Sequence, residues 1–260
     1  MNAYFPTMSV KYENLTWLRY VPRTVCTGAS LDLQDGYHHV RLHPDIRQYF
    51  CFNVNGFYYE CIALPFGWSL APAIFTKLLR PVIAIIRSPT LVTLPPSFLL
   101  ATQVAITASI YLDDLLVLIT KAQDGAVVVQ AVRDLYLQLG LKVKESKSVL
   151  TPQRFVEHLG FMLDCTRHLI ILPPAKLAKV HALCKDFVHH VHKHKRTIRK
   201  RKLAKVVGFL QSCTYALPFG RFYLSHLYSA FSTSPGWEGT VRVSHPAIRA
   251  VNQYWLHLAD

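Results

Sequence analysis

Two adjacent carboxylates, Asp113 and Asp114, interrupt an apolar stretch of the sequence that runs from Ile110 to Ile119. The flanking residues favour strands, and a core built from them could not solvate two charges. The pattern predicts two strands joined at a turn that lifts both acids out of the core. Because Asp-Asp is also ordinary turn chemistry, the pair acquires a functional meaning only from the rest of the chain.

The charge balance predicts a polyanionic partner. The 260 residues contain 29 Lys and Arg against 15 Asp and Glu, a formal net charge of +14. This imbalance favours nucleic acid, although an anionic membrane surface would fit the same arithmetic. Residues 88–112 carry no charge, but the Pro95-Pro96 pair interrupts them, so we expect no membrane span.

The cysteines indicate a reducing compartment. All six are scattered along the chain without a Cys-x-x-Cys pair or a ligand-like spacing. Buried free thiols are the ordinary interpretation of such a distribution, and they predict a cytoplasmic or nuclear protein.

A second acid and an aromatic residue precede the acid pair. Asp32 lies in a predicted strand at 30–33, and a turn-like stretch at 34–37 follows it. Asn55-Gly56 predicts a hairpin over 49–62, and Ala71-Pro72 opens a helix with one apolar face. The residues expected on that face are Phe75, Leu78, Leu79, Val82 and Ile86.

The chain after the acid pair becomes increasingly helical. Asp124 is expected to cap a helix that Gly140 ends, and a hairpin is predicted over 159–172 with its turn near 164–167. Beyond Pro173-Pro174 we predict an amphipathic helix, and a second helix from about Thr197. The expected apolar positions are Val128, Val132, Leu135 and Leu139 in the capped helix, and Leu177, His181, Cys184, Val188 and Val191 in the amphipathic one.

This order of elements can bring Asp32, Asp113 and Asp114 together, because neighbouring strands end at one edge of a sheet. Such a carboxylate cluster binds hard divalent cations through oxygen, as Mg²⁺ requires. Two such ions about 3.5–4 Å apart support in-line phosphoryl transfer.

Five segments resemble the successive motifs of reverse transcriptases, and they occur in that family's order. The resemblance covers about residues 28–230, and it is strongest to polymerases of LTR and DIRS-type retrotransposons. The motifs are Leu31-Asp32-Leu33 with Tyr37, residues 64–72 with Phe75, Tyr111-Leu112-Asp113-Asp114, Leu139-Gly140-Leu141 with Lys147, and His158-Leu159-Gly160-Phe161.

The resemblance implies an α+β fold: a right-hand polymerase palm, with an antiparallel sheet and packed helices, truncated fingers and a helical thumb. We assign residues 1–28 to truncated fingers and 29–172 to the palm, with an apolar insertion at about 89–102 and a primer-grip hairpin at 159–172. Residues 173–260 are assigned to a helical thumb or connection region. The implied activity is RNA-directed DNA polymerisation on an RNA or DNA template with a DNA primer.

The family's site residues carry over to matching positions. Asp32, Asp113 and Asp114 would hold two Mg²⁺ ions, with Mn²⁺ as an alternative, and Lys147 would protonate the departing pyrophosphate. A ring at Tyr37 would exclude a 2′-hydroxyl by shape. The expected contacts of the deoxynucleoside triphosphate are Gln34, Asp35, Gly36, Tyr37, Phe66 and Gly67, and those of the primer are Leu159, Gly160 and Phe161.

A basic segment follows the predicted amphipathic helix. On a thumb it would follow the phosphates of a duplex without reading sequence, although a nuclear localisation signal or a solvated face are alternatives. The nearby histidines could also bind zinc, but no cysteine or acid lies at matching spacing. The basic residues are Lys195, Arg196, Arg199, Lys200, Arg201 and Lys202.

Two departures from the family pattern support a second hypothesis. Only 31 residues precede Asp32, whereas the family's fingers lie ahead of this strand and clasp the triphosphate. The uncharged insertion lengthens the link to Tyr111. The alternative is therefore a catalytically impaired, nucleic-acid-binding remnant of a retrotransposon polymerase. We identify no RNase H, integrase or recombinase region after the expected thumb, and the sequence leaves a separate partner with such an activity open.

Overall fold

The computed structural model describes residues 2–5, 8–88, 106–233 and 236–258, so the predicted insertion at 89–102 lies outside the described residues. The chain forms two compact units, one of residues 1–159 and 163–168 and the other of residues 160–162 and 169–260. The subdomain boundaries at residues 28 and 172 stay predictions. None of the helices in the described ranges is both long and apolar enough to cross a membrane.

A four-stranded antiparallel sheet organises the first unit. Its strands are β1 (Val25–Asp32), β4 (Thr107–Tyr111), β5 (Asp114–Thr120) and β6 (Val149–Gln153), in the order β4-β5-β1-β6. Every residue of β5 after Asp114 is buried. A strand covered on both faces reads as an unbroken apolar run, which explains the sequence beyond the acid pair.

Two helices bury their apolar faces in the same hydrophobic core as this sheet. The helix Ala71–Arg87 inserts Phe75, Leu79 and Ile86, but Leu78 is 46% exposed, so the prediction that it shares this face is wrong. Leu78 lies about 60° around the helix from Phe75, at the edge of the stripe.

The helix Gly125–Gln138 confirms the predicted cap. The Asp124 carboxylate accepts hydrogen bonds from the amides of Ala126 and Val127. The helix ends before Leu139, which is 47% exposed, so the prediction that Leu139 joins the apolar stripe is wrong. Residues past the last turn no longer follow the helical period.

A short helix and the predicted hairpin complete the first half of this unit. The helix is Pro44–Arg47, and strands β2 (Cys51–Val54) and β3 (Phe57–Glu60) pair around Asn55-Gly56. Both turn residues have positive φ, as the tight hairpin turns typical of Asn-Gly require. The 3₁₀ segments of the unit are Asn2–Tyr4, Leu15–Tyr20, Gly36–His39 and Glu145–Lys147.

A three-stranded sheet follows β6. Its strands are β7 (Phe155–His158), β8 (Phe161–Asp164) and β9 (Leu169–Ile171), in the order β7-β8-β9. The predicted turn after β8 is confirmed, because the Asp164 carboxylate accepts the amides of Thr166 and Arg167. The same carboxylate binds the Arg154 guanidinium through two hydrogen bonds of 2.9 and 2.6 Å.

The second unit is built mainly from helices around its own core. The predicted amphipathic helix is confirmed as Pro174–Lys193, but its buried stripe differs from the predicted one and runs through Val180, Cys184, Phe187 and Val191. The next helix begins at Lys200 instead of Thr197, because strand β10 (Thr197–Arg199) pairs with β11 (Thr240–Arg242). The remaining helices are Lys200–Cys213, Gly220–Tyr228, the 3₁₀ segment Ser229–Thr233, His245–Ala250 and the π-helix Val251–Trp255.

Candidate active site

The acid pair lies at a tight hairpin, as predicted. Tyr111 of β4 pairs with Asp114 of β5, so Leu112 and Asp113 form a two-residue turn. Leu112 has φ of 54°, a left-handed conformation that is unfavourable for a leucine. The amide of Leu33 donates a 3.0 Å hydrogen bond to the Asp113 carbonyl, which fixes this strained turn against the chain just after β1.

Asp32 is the last residue of β1, and it pairs with Asp114 in the antiparallel register. Its backbone is held from the side of β6. The Asp32 amide donates to the Ser148 hydroxyl (3.0 Å), and its carbonyl accepts the amide of Lys144 (2.7 Å). The predicted convergence of acids from neighbouring strands therefore follows from the ladder and from these two bonds.

A cavity of about 290 Å³ collects most of the predicted site. Two of the three acids, Asp32 and Asp113, line it together, and Lys147 and Tyr37 lie on its walls. One wall residue that sequence reasoning missed is a second lysine, Lys144. The complete lining is Asp32, Leu33, Asp35, Gly36, Tyr37, Phe66, Leu112, Asp113, Lys144 and Lys147.

The charged groups around Asp32 shift its pKa in opposite directions. Burial raises the pKa of the Asp32 carboxyl, Asp113 raises it further and Asp114 adds to this, while Lys147 and Lys144 lower it. A carboxyl whose pKa is raised by neighbouring carboxylates fits a divalent cation. Within the described ranges no three His, Cys, Asp or Glu side chains form a ready-made metal site. Asp32 and Asp113 thus fit a divalent cation that one or two carboxylates share with substrate phosphates.

The third acid, Asp114, does not line this cavity and contacts a buried histidine. The Asp114 carboxylate lies 3.1 Å from Nδ1 of His158, whose side chain is completely buried. Neither ring nitrogen of His158 has an aligned hydrogen-bond partner among the residues described, so the two side chains lie close together without a hydrogen bond. In the sequence His158 stands out only as a neighbour of Leu159-Gly160, and nothing in its spacing points to Asp114.

The predicted sugar gate is packed between aromatic rings. The Tyr37 ring centroid lies 5.2 Å from that of Phe66 and 5.3 Å from that of the buried Phe75. A Cβ atom at Gly36 would lie 2.9 Å from Phe75 and 3.2 Å from Cβ of Asp113. Glycine therefore allows the gate turn to approach the acid hairpin this closely.

Two predicted nucleotide contacts lie elsewhere in the first unit. Gln34 is exposed, and its backbone amide donates a hydrogen bond to the Lys142 carbonyl. Gly67 lines a separate cavity of about 320 Å³, where its carbonyl accepts from the Asn2 side chain. The structure does not bring these two residues into the cavity that holds Asp32.

The predicted primer-grip turn is a two-residue loop. Leu159 and Gly160 both have positive φ, as in a type I′ turn. Phe161 is only 3% exposed, and the Lys176 ammonium lies 3.8 Å from its ring centroid. Phe161, the residue that follows the turn, is thus packed within the second unit.

The basic segment 195–202 of the second unit is partly neutralised. Arg201 lies 2.6 Å from the Glu238 carboxylate, and Lys202 lies 3.2 Å from that of Asp186. Arg199 lies in β10 and is exposed. Within the described part of this unit, the histidines near residue 190 form no metal cluster, although the rings of His190 and His194 lie 4.4 Å apart.

Sequence comparison places the chain among retroelement proteins. Residues 9–163 match the family described as reverse transcriptase (RNA-dependent DNA polymerase). A polyprotein of Cassava vein mosaic virus is 23% identical over 194 residues, which cover 73% of this chain and 24% of the relative. The retrovirus-related Pol polyprotein from transposon gypsy of Drosophila melanogaster is 28% identical over 135 residues, which cover 52% and 11%. The chain therefore spans about a quarter or less of these relatives.

Solved structures confirm the predicted α+β polymerase fold. The foamy viral protease-reverse transcriptase in complex with double-stranded DNA superposes with a TM-score of 0.70 at 19% identity, over 98% of this chain and 40% of that one. Its complex with an RNA/DNA hybrid gives 0.66 at 18% identity, over 97% and 30%. The narrower assignment to LTR or DIRS-type elements stays a prediction. Because the family match covers more than half of its residues, the chain belongs to the reverse transcriptase (RNA-dependent DNA polymerase) family.

Proposed function

We propose that this chain is an RNA-directed DNA polymerase, which adds deoxynucleotides to the 3′ end of a primer. One observation carries the proposal: Asp32 and Asp113 share a cavity with the Tyr37 ring and with Lys147. Membership of the family supplies the reaction class. The foamy viral enzymes were solved with double-stranded DNA and with an RNA/DNA hybrid, which supports a primer-template duplex as the substrate.

Two Mg²⁺ ions, or Mn²⁺, are the cofactors that this donor set fits best, and Asp32 and Asp113 would hold them. Bound there, such ions neutralise phosphate charge and activate the primer hydroxyl. Asp114 adds negative charge next to the pair, while its contact with His158 keeps its carboxylate at the strand. The fixed backbone of Asp32 and the strained turn at Asp113 hold both carboxylates in place before substrate arrives.

The other cavity residues would handle the nucleotide. Lys147 would donate a proton to the departing pyrophosphate oxygen, and it lies on the same wall as the carboxylates. Tyr37, held by Phe66 and Phe75, would occupy the space that a ribonucleotide's 2′-hydroxyl needs. This exclusion depends on the shape of the ring and needs no hydrogen bond.

The nucleic-acid contacts are proposed for two places. The Leu159-Gly160 turn exposes backbone that would hold the primer strand, and Phe161 anchors it. The basic segment 195–202 would bind phosphates of the duplex without reading bases.

Primer extension on poly-rA/oligo-dT with Mg²⁺ or Mn²⁺ tests the proposed function. The parent chain should extend the primer, and Asp113→Asn should lower the rate by more than about 10³-fold because it removes a metal ligand. Duplex affinity should stay the same or rise slightly, because a negative charge is lost. Asp45→Asn serves as the matched control, because Asp45 is exposed and its carboxylate lies next to the exposed ring of His43.

Extension that survives Asp113→Asn would refute the site. A parent chain that binds the duplex but does not extend it would favour the nucleic-acid-binding remnant. In that case the same measurement on a protein with a longer N-terminal segment would show whether additional fingers restore activity.

A further inference from the structure

We propose that Lys144 is a second binding group for the triphosphate of the incoming nucleotide, and that it acts beside Lys147. The inference rests on the proposed polymerase function. Lys144 is not among the residues that match the family's motifs. In this proposal Lys144 binds the triphosphate, and Lys147 donates a proton to the departing pyrophosphate.

The two lysines lie close together in the chain and line one cavity. Lys144 is the N-cap of the 3₁₀ segment Glu145–Lys147, so the two lysines are separated by three positions. The backbone of Lys144 is extended, with φ of −88° and ψ of 90°, and the 3₁₀ turn begins only after it. Both lysines line the cavity that Asp32 and Asp113 line.

The backbone of Lys144 is hydrogen-bonded to Asp32, the last residue of β1. Its amide donates to the Asp32 carbonyl (2.7 Å), and its carbonyl accepts the Ser148 hydroxyl (2.8 Å). The same hydroxyl accepts the Asp32 amide (3.0 Å), which closes a small network between the two residues. The base of the lysine side chain therefore keeps a constant distance from the acid, and only the end of the chain is left to adjust.

The neighbouring acid does not neutralise Lys144. Glu145 is exposed, and its carboxylate is engaged by Arg133. Within the part of the chain that the structure describes, neither Lys144 nor Lys147 forms an ion pair. Lys144 is also half-buried, whereas Lys147 is exposed. A half-buried lysine that lines the same cavity as the carboxylates and forms no ion pair with a described residue is available to an anionic ligand that enters this cavity.

Charge counting explains why two lysines are needed. Two divalent ions offset two carboxylates but only part of a triphosphate with about four negative charges, so about two negative charges remain. Lys147 alone would leave about one of them uncompensated in a partly enclosed cavity, where charge is poorly screened.

Steady-state kinetics of single-nucleotide extension test the assignment. Lys144→Gln should raise the KM for the deoxynucleotide by about 10-fold and leave kcat within about 3-fold, because binding is lost and proton transfer is kept. Lys144→Arg should retain most of the affinity. Lys142→Gln is the matched control, since Lys142 is exposed and its side chain lies outside the cavity.

A binding measurement separates this role from activity. A primer that ends in a dideoxynucleotide has no 3′-hydroxyl and cannot be extended. The next deoxynucleotide can still bind and prolong the lifetime of the complex between polymerase and primer-template. The dependence of this lifetime on deoxynucleotide concentration gives the Kd of the deoxynucleotide. Lys144→Gln should weaken this Kd by about 10-fold, and Lys142→Gln should leave it unchanged. An equal Kd for both variants would overturn the inference while leaving the polymerase proposal intact. A parent chain that neither extends a primer nor binds a deoxynucleotide would overturn both.

Discussion

The cavity lysines and the basic segment use positive charge in different ways. Lys144 and Lys147 are only two cations, yet both line the cavity that contains Asp32 and Asp113. The basic segment has six cations in eight positions, 195–202, but Arg201 and Lys202 face Glu238 and Asp186. The density of charge along the sequence is therefore a poor measure of the charge that a ligand meets, because folding decides which cations are already paired.

This difference leads to separate expectations for the two regions. A cation in a defined cavity acts at one atom of one substrate, so its removal should change a specific kinetic constant. A cation in the basic segment acts on the phosphate backbone at many positions, so its removal should change affinity and salt dependence.

Among the cations of the two regions, Lys147 should have the largest effect. Lys147→Gln removes the proposed acid, so kcat should fall by about 10²-fold or more, while the KM for the nucleotide should rise by no more than in Lys144→Gln. The solvent deuterium isotope effect on a single turnover should shrink, because proton transfer to pyrophosphate no longer has its donor. Arg199→Gln, which removes one cation from the basic segment, should leave kcat within about 2-fold. Equal losses of kcat in the two variants would abolish the proposed distinction between the regions.

Selection by shape should also be confined to the cavity. Tyr37→Ala removes the ring between Phe66 and Phe75 and should lower discrimination against ribonucleotides by about 10-fold or more. Tyr37→Phe should keep the discrimination, because the ring and not the hydroxyl excludes the sugar. The ratio of kcat/KM for dATP and ATP measures both variants. An unchanged ratio in Tyr37→Ala would reject the gate.

Local chemistry explains what the sequence predicted well. The turn at Leu112-Asp113, the Asn55-Gly56 hairpin and the Asp124 cap each depend on residues within a few positions of one another. Such features can be predicted from the sequence because backbone sterics and hydrogen bonds between nearby residues determine them. The convergence of Asp32 with Asp113 also followed, since strand order and motif order together restrict where the two acids can meet.

Tertiary contacts decided what the sequence could not predict. Asp114 looks equivalent to Asp113 in sequence, but Asp113 lies in the turn whereas Asp114 begins β5 and lies next to His158, so their environments differ. Arg201 lies next to Glu238 because the pairing of β10 with β11 brings the residues just after β10 close to those just before β11. Lys144 carried no motif signal, and its importance appears only once its backbone is bonded to Asp32.

The basic segment can be dissected by a matched pair of variants. Arg199→Gln should lower the slope of log affinity against log salt by about 0.9, the value for one phosphate contact on a duplex. Arg201→Gln should lower it by clearly less, because Glu238 already engages that guanidinium. Duplex affinity measured by anisotropy across a series of salt concentrations provides both slopes. Equal slopes for the two variants would show that pairing with Glu238 does not remove Arg201 from the phosphate contacts.

Arg154 is paired through two hydrogen bonds to one carboxylate, and the contribution of this pair to stability should be lost only in acid. Its guanidinium, together with the amides of Arg167 and Thr166, lowers the pKa of the Asp164 carboxyl to about 2 from the ordinary 3.8. A lowered pKa means that the folded state favours the charged form, so the pair stabilises the fold fully above about pH 4. This contribution is lost as the pH falls through about 2.

The pH dependence of thermal unfolding, compared between the parent chain and Asp164→Asn, isolates this pair. The asparagine keeps an oxygen for the turn amides but has no charge for Arg154. The difference in Tm between the two proteins should be constant from pH 7 to about 4.5 and should shrink between about pH 4 and 2. Because every other acid titrates in both proteins, their contributions cancel in the difference. A difference that persists undiminished to pH 2 would mean that the geometry of the turn, and not the ion pair, accounts for the role of Asp164.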